Sequence, residues 1–212
     1  PVEIAMALDH TPSMCFNPGG TTTDFTCRKY KNMIAGVKIL RDAIEALGND
    51  GSDSRVYYAA VPFEGMAILP NGELVPGSRA KDYFGIDEHE PDTPRSIGLT
   101  TDIDSIISML EGELPTEGTD PGEGETFTHV GALGAGMALR PQNKAKFNHQ
   151  LPELPHAFDD PAVLKILLLL TDGVNKFWGG RGRGMINFPA ADTQLKQYCA
   201  QIKEQRIAVF TI

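Results

Sequence analysis

Apolar residues form four short runs along the chain that have the length of β-strands. These runs lie at residues 2–8, 56–63, 163–170 and 207–212. The first and third lead directly into turns that contain aspartate, as strands buried on both faces of a parallel sheet do. Two further apolar segments, 66–69 and 74–75, flank Asn71-Gly72 and predict a β-hairpin that supplies an antiparallel edge.

Three segments between these runs show the spacing of amphipathic helices. Apolar residues recur at steps of three and four at Tyr30, Met33, Ile34, Val37, Leu40, Ile44 and Leu47, and Gly48 follows as a stop signal. Residues 103–110 and 191–202 repeat the pattern, and a helix rich in Gly and Ala is expected to end near Leu139. Strands that alternate with helices predict a doubly wound α/β fold with helices on both faces of a mostly parallel sheet.

The chain of 212 residues is long enough to bury a normal core, and it is predicted to form a single domain spanning 1–212. Stretches rich in Gly and Pro at 76–94, 115–124 and 177–189 are expected to be surface loops rather than linkers. Because the chain starts in one strand and stops inside another, we expect a fragment that lacks its last elements at the C-terminus.

The charge of the chain narrows the possible partners. The chain has 19 Lys and Arg residues and 28 Asp and Glu residues, so its formal net charge is −9. This balance gives no electrostatic footprint for nucleic acid or anionic lipid. The longest apolar stretch is far shorter than the roughly 20 residues of a membrane helix, so no membrane-spanning segment is expected within the chain.

Residues with side-chain oxygens follow two of the predicted strands. Asp9, Thr11 and Ser13 follow the first run, at the carboxyl end where open parallel sheets bind ligands. Thr171-Asp172-Gly173 follows the third, and the topology brings both aspartates to one edge. A hard divalent cation prefers such oxygen ligands. Each motif alone is also an ordinary turn.

A threonine loop completes a three-part pattern that resembles the von Willebrand factor A (vWA) domain and its metal-ion-dependent adhesion site. The resemblance implies a Rossmann-like vWA fold with Mg²⁺, or Ca²⁺ or Mn²⁺, held by Asp9, Thr11, Ser13, Thr126 and Asp172. Thr128 competes with Thr126 for the middle position, and Thr126 is preferred because Gly131 lies five residues after it, as in the family. Thr11 stands where the family usually has serine.

Within that superfamily, residues 167–175 and 198–212 are most similar to the TadG-like proteins of bacterial tight-adherence pilus systems. This similarity implies a role in pilus assembly or cell-surface attachment. It also implies a periplasmic or extracellular location, with an anchor possible outside this chain.

Two of the three cysteines lie next to the first oxygen motif. Cys15 and Cys27 enclose a polar loop, and a disulfide between them would close an insertion at 14–29. Such a bond stabilises a fold by about 3 kcal/mol and is typical of an oxidising compartment. Two unpaired thiols are the alternative. Cys199 lies on the apolar face of its helix and is expected to be a small buried residue or to pair beyond this chain.

The leading functional hypothesis is a non-enzymatic binding module in which the cation receives an Asp or Glu carboxylate from a partner protein. The rim of the site is expected to include His10, Thr128, Phe177, Trp178 and Arg181. One alternative is a haloacid-dehalogenase-like phosphatase or phosphotransferase with Asp9 as nucleophile, although Asn175 stands where that class has a second acidic residue. Another is a structural surface or pilus subunit whose metal serves only as a staple.

Overall fold

Strands and helices alternate along the chain in the computed structural model, which describes residues 1–15, 26–48, 55–78, 94–113, 126–173, 176–178, 185–187 and 189–212. In chain order the elements are β1 (Val2–Asp9), α1 (Arg28–Gly48), β2 (Val56–Phe63), β3 (Ile97–Thr100), α2 (Ile103–Gly112), α3 (Thr128–Ala138), β4 (Leu164–Leu170), β5 (Lys176–Trp178), β6 (Met185–Asn187), α4 (Pro189–Glu204) and β7 (Ile207–Thr211). Two 3₁₀ turns, Pro12–Cys15 and Pro141–Lys146, follow β1 and α3.

The central sheet has the order β3-β2-β1-β4-β7. Strands β1, β2, β4 and β7 run parallel to one another, and β3 runs antiparallel to β2 at one edge. The four apolar runs therefore form the parallel strands, as their buried patterns predict. The α/β class, the mostly parallel sheet and the single antiparallel edge are confirmed.

The antiparallel edge does not come from the segment that was predicted to supply it. The hairpin around Asn71-Gly72 is reduced to one antiparallel bridge between Ile68 and Leu74, and the edge strand is β3. In β3, Gly98 lets the chain approach closely, because a Cβ there would lie 2.8 Å from the Asn148 carbonyl oxygen. A strand of four residues with glycine inside it carries too little hydrophobic pattern to be recognised from sequence.

The stretch 177–189 was predicted to be a surface loop, and this prediction is wrong in part. Strands β5 and β6 pair antiparallel there as a two-stranded sheet. Each strand has only three residues, so the period-two pattern of a strand has no length over which to show itself. The other two predicted loops fall largely on residues outside the described ranges.

Two apolar layers cover the two faces of the sheet. Alternate residues of β1 point to opposite faces: Ile4, Met6 and Leu8 pack with α1 and α2, whereas Ala5 and Ala7 pack with α3 and α4. This division confirms helices on both faces. Among the described helices, none combines the length and the apolar character needed to cross a membrane.

Three glycines let helix α3 pack closely against the sheet and against α4. A Cβ on Gly131 would lie 2.2 Å from Cδ1 of Phe63, and one on Gly134 would lie 2.8 Å from Cγ1 of Val61. On the other side, a Cβ on Gly136 would lie 2.9 Å from Cδ1 of Ile202 in α4. The glycines therefore fix the position of α3 and of the threonine loop that precedes it.

We expect Gly131→Ala to lower the free energy of unfolding by at least about 1 kcal/mol, since overpacking against the buried Phe63 ring outweighs the better helix propensity of alanine. Gly36→Ala in α1 is the matched control, because a Cβ there meets nothing within 4 Å. That substitution should raise the free energy of unfolding by about 0.5–1 kcal/mol. Urea denaturation measures both, and equal gains at the two positions would contradict the close packing of α3.

Candidate functional site

The two aspartate motifs meet at the carboxyl edge of the sheet. Strands β1 and β4 are parallel neighbours, and Leu8 is in register with Leu170. The residues that follow these strands therefore emerge side by side. Asp9 ends β1, and Asp172 lies two residues beyond the end of β4. The sequence-based expectation that the two motifs converge is confirmed.

Asp9 is fully buried, and both of its carboxylate oxygens accept hydrogen bonds. Oδ1 accepts from the backbone N–H of Thr11 at 2.9 Å and from its hydroxyl at 2.6 Å, and Oδ2 accepts from the Thr171 hydroxyl at 2.6 Å. Burial raises the pKa of Asp9 to about 6, although the hydrogen bonds from Thr11 and Thr171 act in the opposite direction. The site thus holds a carboxylate that lacks full compensation for its charge.

A chain of short oxygen contacts joins Asp9 to Asp172. The Thr11 hydroxyl lies 2.8 Å from the Ser13 hydroxyl, which in turn donates to Oδ1 of Asp172 at 3.0 Å. The three oxygen-to-oxygen contacts are Asp9–Thr11, Thr11–Ser13 and Ser13–Asp172. Only two hydroxyl protons, those of Thr11 and Ser13, are available to bridge them. With both carboxylates ionised, one of these contacts has no proton to bridge it. Such a cluster favours an added cation.

Lys29 completes the cluster, and sequence reasoning gave it no role. Its ammonium donates to the Ser13 carbonyl oxygen at 3.0 Å and forms a salt bridge with Oδ2 of Asp172. Thr171 was likewise quoted in a motif but assigned no contact. Its place directly before Asp172 was a usable signal, whereas Lys29 offered none beyond its position two residues after Cys27.

A disulfide bond joins Cys15 to Cys27, as predicted. Cys15 ends the 3₁₀ turn that carries Ser13, and Cys27 is the residue before α1. The bond therefore ties the start of α1, and with it Lys29, to the oxygen motif after β1. Residues 16–25 of the predicted insertion lie outside the described part of the chain. Cys199 is free and partly buried, and burial raises its thiol pKa.

The two competing threonines lie on either side of Phe127, and both are buried. A Cβ placed on Gly173 would lie 3.9 Å from Cγ2 of Thr126, so Thr126 is next to the turn that contains Asp172. Thr128 stands in the first turn of α3, and its buried hydroxyl has no hydrogen-bond partner among the described residues. The structure thus brings the threonine loop to the Asp172 turn.

The predicted rim residues have varied environments. The ring of His10 packs edge-on against Tyr30, with centroids 5.5 Å apart. The backbone of Phe177 and Trp178 belongs to β5. Their side chains, and the whole of Arg181, lie outside the described part of the structure.

Most of the side-chain oxygens that could bind a metal ion at the carboxyl edge belong to hydroxyl groups. Within the described ranges, no group of three or more His, Cys, Asp or Glu side chains is placed to hold a metal ion. A cation at the carboxyl edge would therefore rely on threonine and serine hydroxyls together with Asp9 and Asp172. Hard divalent cations accept such neutral oxygens alongside carboxylates.

Comparison with known proteins relates the chain to bacterial pilus proteins by fold. No protein-family model matches the chain, and no curated protein sequence matches it significantly. The pilus adhesin SpaC from Lactobacillus rhamnosus GG matches all of this chain with a TM-score of 0.51 and 19% identity. An adhesive tip pilin from Group B Streptococcus agalactiae matches 82% of it with a TM-score of 0.43 and 18% identity. The chain spans 24% of the length of the adhesin and 46% of that of the tip pilin. Its fold is similar to that of the matched segment of the adhesin.

Proposed function

We propose that this chain is a vWA-type domain whose carboxyl edge is a metal-ion-dependent adhesion site, and that it acts as a non-enzymatic binding module. A divalent cation, Mg²⁺ or in its place Mn²⁺ or Ca²⁺, would be held by Asp9, Thr11, Ser13, Thr126 and Asp172. The observation that carries the proposal is the chain of short oxygen contacts between Asp9 and Asp172, which has fewer protons than contacts.

The donor set suits a site that recognises carboxylates. Three of the five proposed ligands are neutral hydroxyls. With Asp9 and Asp172 acting through water, a bound ion would keep most of its charge toward solvent and offer a coordination position to an anionic group. The net charge of −9 opposes an acidic partner at long range. At about 0.15 M salt, however, the Debye length is only about 8 Å, so distant charges are screened while direct coordination is not. A partner protein that inserts an Asp or Glu side chain fits this chemistry.

The geometry of Asp9 favours binding over phosphotransfer. A nucleophilic aspartate needs an oxygen that can reach a phosphorus atom. Both oxygens of Asp9 instead accept hydrogen bonds, from Thr11 and from Thr171, and the side chain is fully buried. Asp9 is arranged to orient hydroxyls and to contribute charge from below the site.

The fold and the disulfide support the proposed cellular role. The similarity to a segment of a pilus adhesin supports adhesion or pilus assembly at the cell surface. The Cys15–Cys27 disulfide fits the periplasm or the exterior, where such bonds persist. We therefore place the domain outside the cytoplasm, with a protein partner.

Mn²⁺ binding tests the site and its open position together. We expect one Mn²⁺ per chain by electron paramagnetic resonance, and faster relaxation of acetate methyl protons when the loaded protein is present. Excess chelator should abolish both effects. Absence of Mn²⁺ binding would contradict the metal site. Binding without any effect on acetate would favour the structural staple over the adhesion site.

The same titration distinguishes the two threonines. We expect Thr126→Ala to weaken Mn²⁺ binding by about tenfold or more, whereas Thr128→Ala should change it little. The two residues are matched, since both are buried and only Phe127 separates them. A larger loss for Thr128→Ala would transfer the ligand role to Thr128.

A further inference from the structure

We propose that Lys29 is a built-in competitor of the divalent cation: its ammonium neutralises Asp172 in the metal-free protein and must leave that carboxylate when an ion binds. The inference rests on the proposed metal site, and it concerns how tightly that site holds its ion. Its consequence is that wild-type protein binds cations more weakly than the ligand set alone would allow.

The contacts of Asp172 show what an incoming ion would have to displace. Its Oδ1 accepts from the Ser13 hydroxyl at 3.0 Å, and its Oδ2 pairs with the Lys29 ammonium. Both carboxylate oxygens are therefore engaged before any ion arrives. The same ammonium donates to the Ser13 carbonyl oxygen at 3.0 Å, so Lys29 contacts two of the residues that form the candidate site.

The charges of the cluster determine how strongly a divalent ion is attracted to it. Asp9 and Asp172 bring two negative charges when ionised, and Lys29 offsets one of them. Without Lys29, a divalent ion would meet two uncompensated carboxylates. With Lys29 in place, the ion meets one net negative charge and a nearby positive group that repels it. The side chains of Lys29 and Asp172 are only 27% and 16% exposed, so solvent screens this repulsion incompletely.

The disulfide keeps the Lys29 ammonium near the site after an ion has displaced it from Asp172. Lys29 lies two residues after Cys27, which is bonded to Cys15, and Cys15 is two residues after Ser13. Lys29 also belongs to the first turn of α1, so its backbone is fixed on both sides. The competitor is therefore present at a constant, high local concentration.

Calorimetric titration with Mg²⁺ tests the inference in four proteins: wild type, Lys29→Met, Lys29→Gln and Lys38→Met. We expect both Lys29 variants to bind Mg²⁺ at least about tenfold more tightly than wild type. Lys29→Gln removes the charge and keeps a polar side chain with N–H donors. Lys38→Met is the control: Lys38 is on the same helix, but its salt-bridge partner is Glu111, outside the oxygen cluster. Its affinity should match that of wild type.

A melting experiment provides a second readout. In chelator, Lys29→Met should melt at a lower temperature than wild type, and added Mg²⁺ should raise its melting temperature by more than it raises that of wild type. If wild type and both Lys29 variants bind Mg²⁺ equally, or if the variants bind it more weakly, the inference is overturned and the metal site stands. If none of the four proteins binds Mg²⁺, the inference and the proposed function fail together.

Discussion

Asp9→Asn is expected to weaken Mg²⁺ binding at least about tenfold to a hundredfold without lowering the melting temperature of the protein in chelator. The loss of affinity follows from removing a negative charge at the ion, and it is expected even if Asp9 acts through water. The fold should tolerate the change because asparagine keeps Oδ1 for Thr11 and offers an N–H to the Thr171 hydroxyl. It also removes a buried charge whose desolvation is unfavourable.

Asp160→Asn is the matched control for this experiment. Asp160 also accepts from the backbone N–H two residues later, at 2.9 Å from Ala162, but it precedes β4 and so lies at the opposite edge of the sheet. Its substitution should leave Mg²⁺ affinity unchanged. Undiminished binding in Asp9→Asn would remove Asp9 from the site. A large fall in its melting temperature would show that the charge of Asp9 supports the fold.

Lys165→Met is expected to lower the free energy of unfolding by about 3–5 kcal/mol. Lys165 is 3% exposed and pairs with the fully buried Glu3, which also accepts hydrogen bonds from the backbone and ring of His156. Burial lowers the pKa of Lys165, while the contact with Glu3 raises it. Removing the ammonium leaves the Glu3 carboxylate buried without its counter-charge, which is the costly way to break such a pair.

The exposed pair Lys38–Glu111 serves as the comparison, since it has a similar chemistry at the surface. Lys38→Met should change the free energy of unfolding by less than about 1 kcal/mol. The double variant Glu3→Gln with Lys165→Met should be more stable than Lys165→Met alone, because it no longer buries a lone charge. Urea denaturation of the four proteins checks these expectations. Similar losses at Lys38 and Lys165 would contradict the importance of burial.

The buried carboxylates at the two ends of β1 have different partners, and this contrast supports an external cation at one of them. Glu3, near the start of the strand, stands in register with Lys165 of β4 and receives its ammonium. Asp9, at the other end, accepts hydrogen bonds from Thr11 and Thr171 but from no ammonium or guanidinium group of the described residues. The protein supplies its own counter-ion at one end, and we propose that a metal supplies it at the other.

Much of the fold could be predicted because its signals are local. A buried parallel strand such as residues 163–170 shows itself as a short apolar run, and α1 shows itself as apolar positions at steps of three and four. Alternating strands and helices predict a parallel sheet, and the carboxyl ends of parallel strands lie at one edge. Asp9 and Asp172 are therefore expected at the same edge, and they meet there because β1 and β4 are neighbours in the sheet. The Cys15–Cys27 bond was also within reach, because only a short loop separates the two residues.

The charged contacts of the site and of the core were decided by the tertiary structure and could not be predicted from the sequence. Lys29 reaches Asp172 across 143 residues, and Glu3 meets Lys165 across 162. Neither pair has a sequence pattern, because the Glu3 pair depends on the register of β1 and β4 and the Lys29 pair depends on where the disulfide holds α1. The edge strand β3 was missed because it has only four residues, and one of them, Gly98, packs closely against residue 148, which is distant in sequence. Local periodicity determined the elements and the edge where the motifs meet, whereas register and close packing decided which charges face each other there.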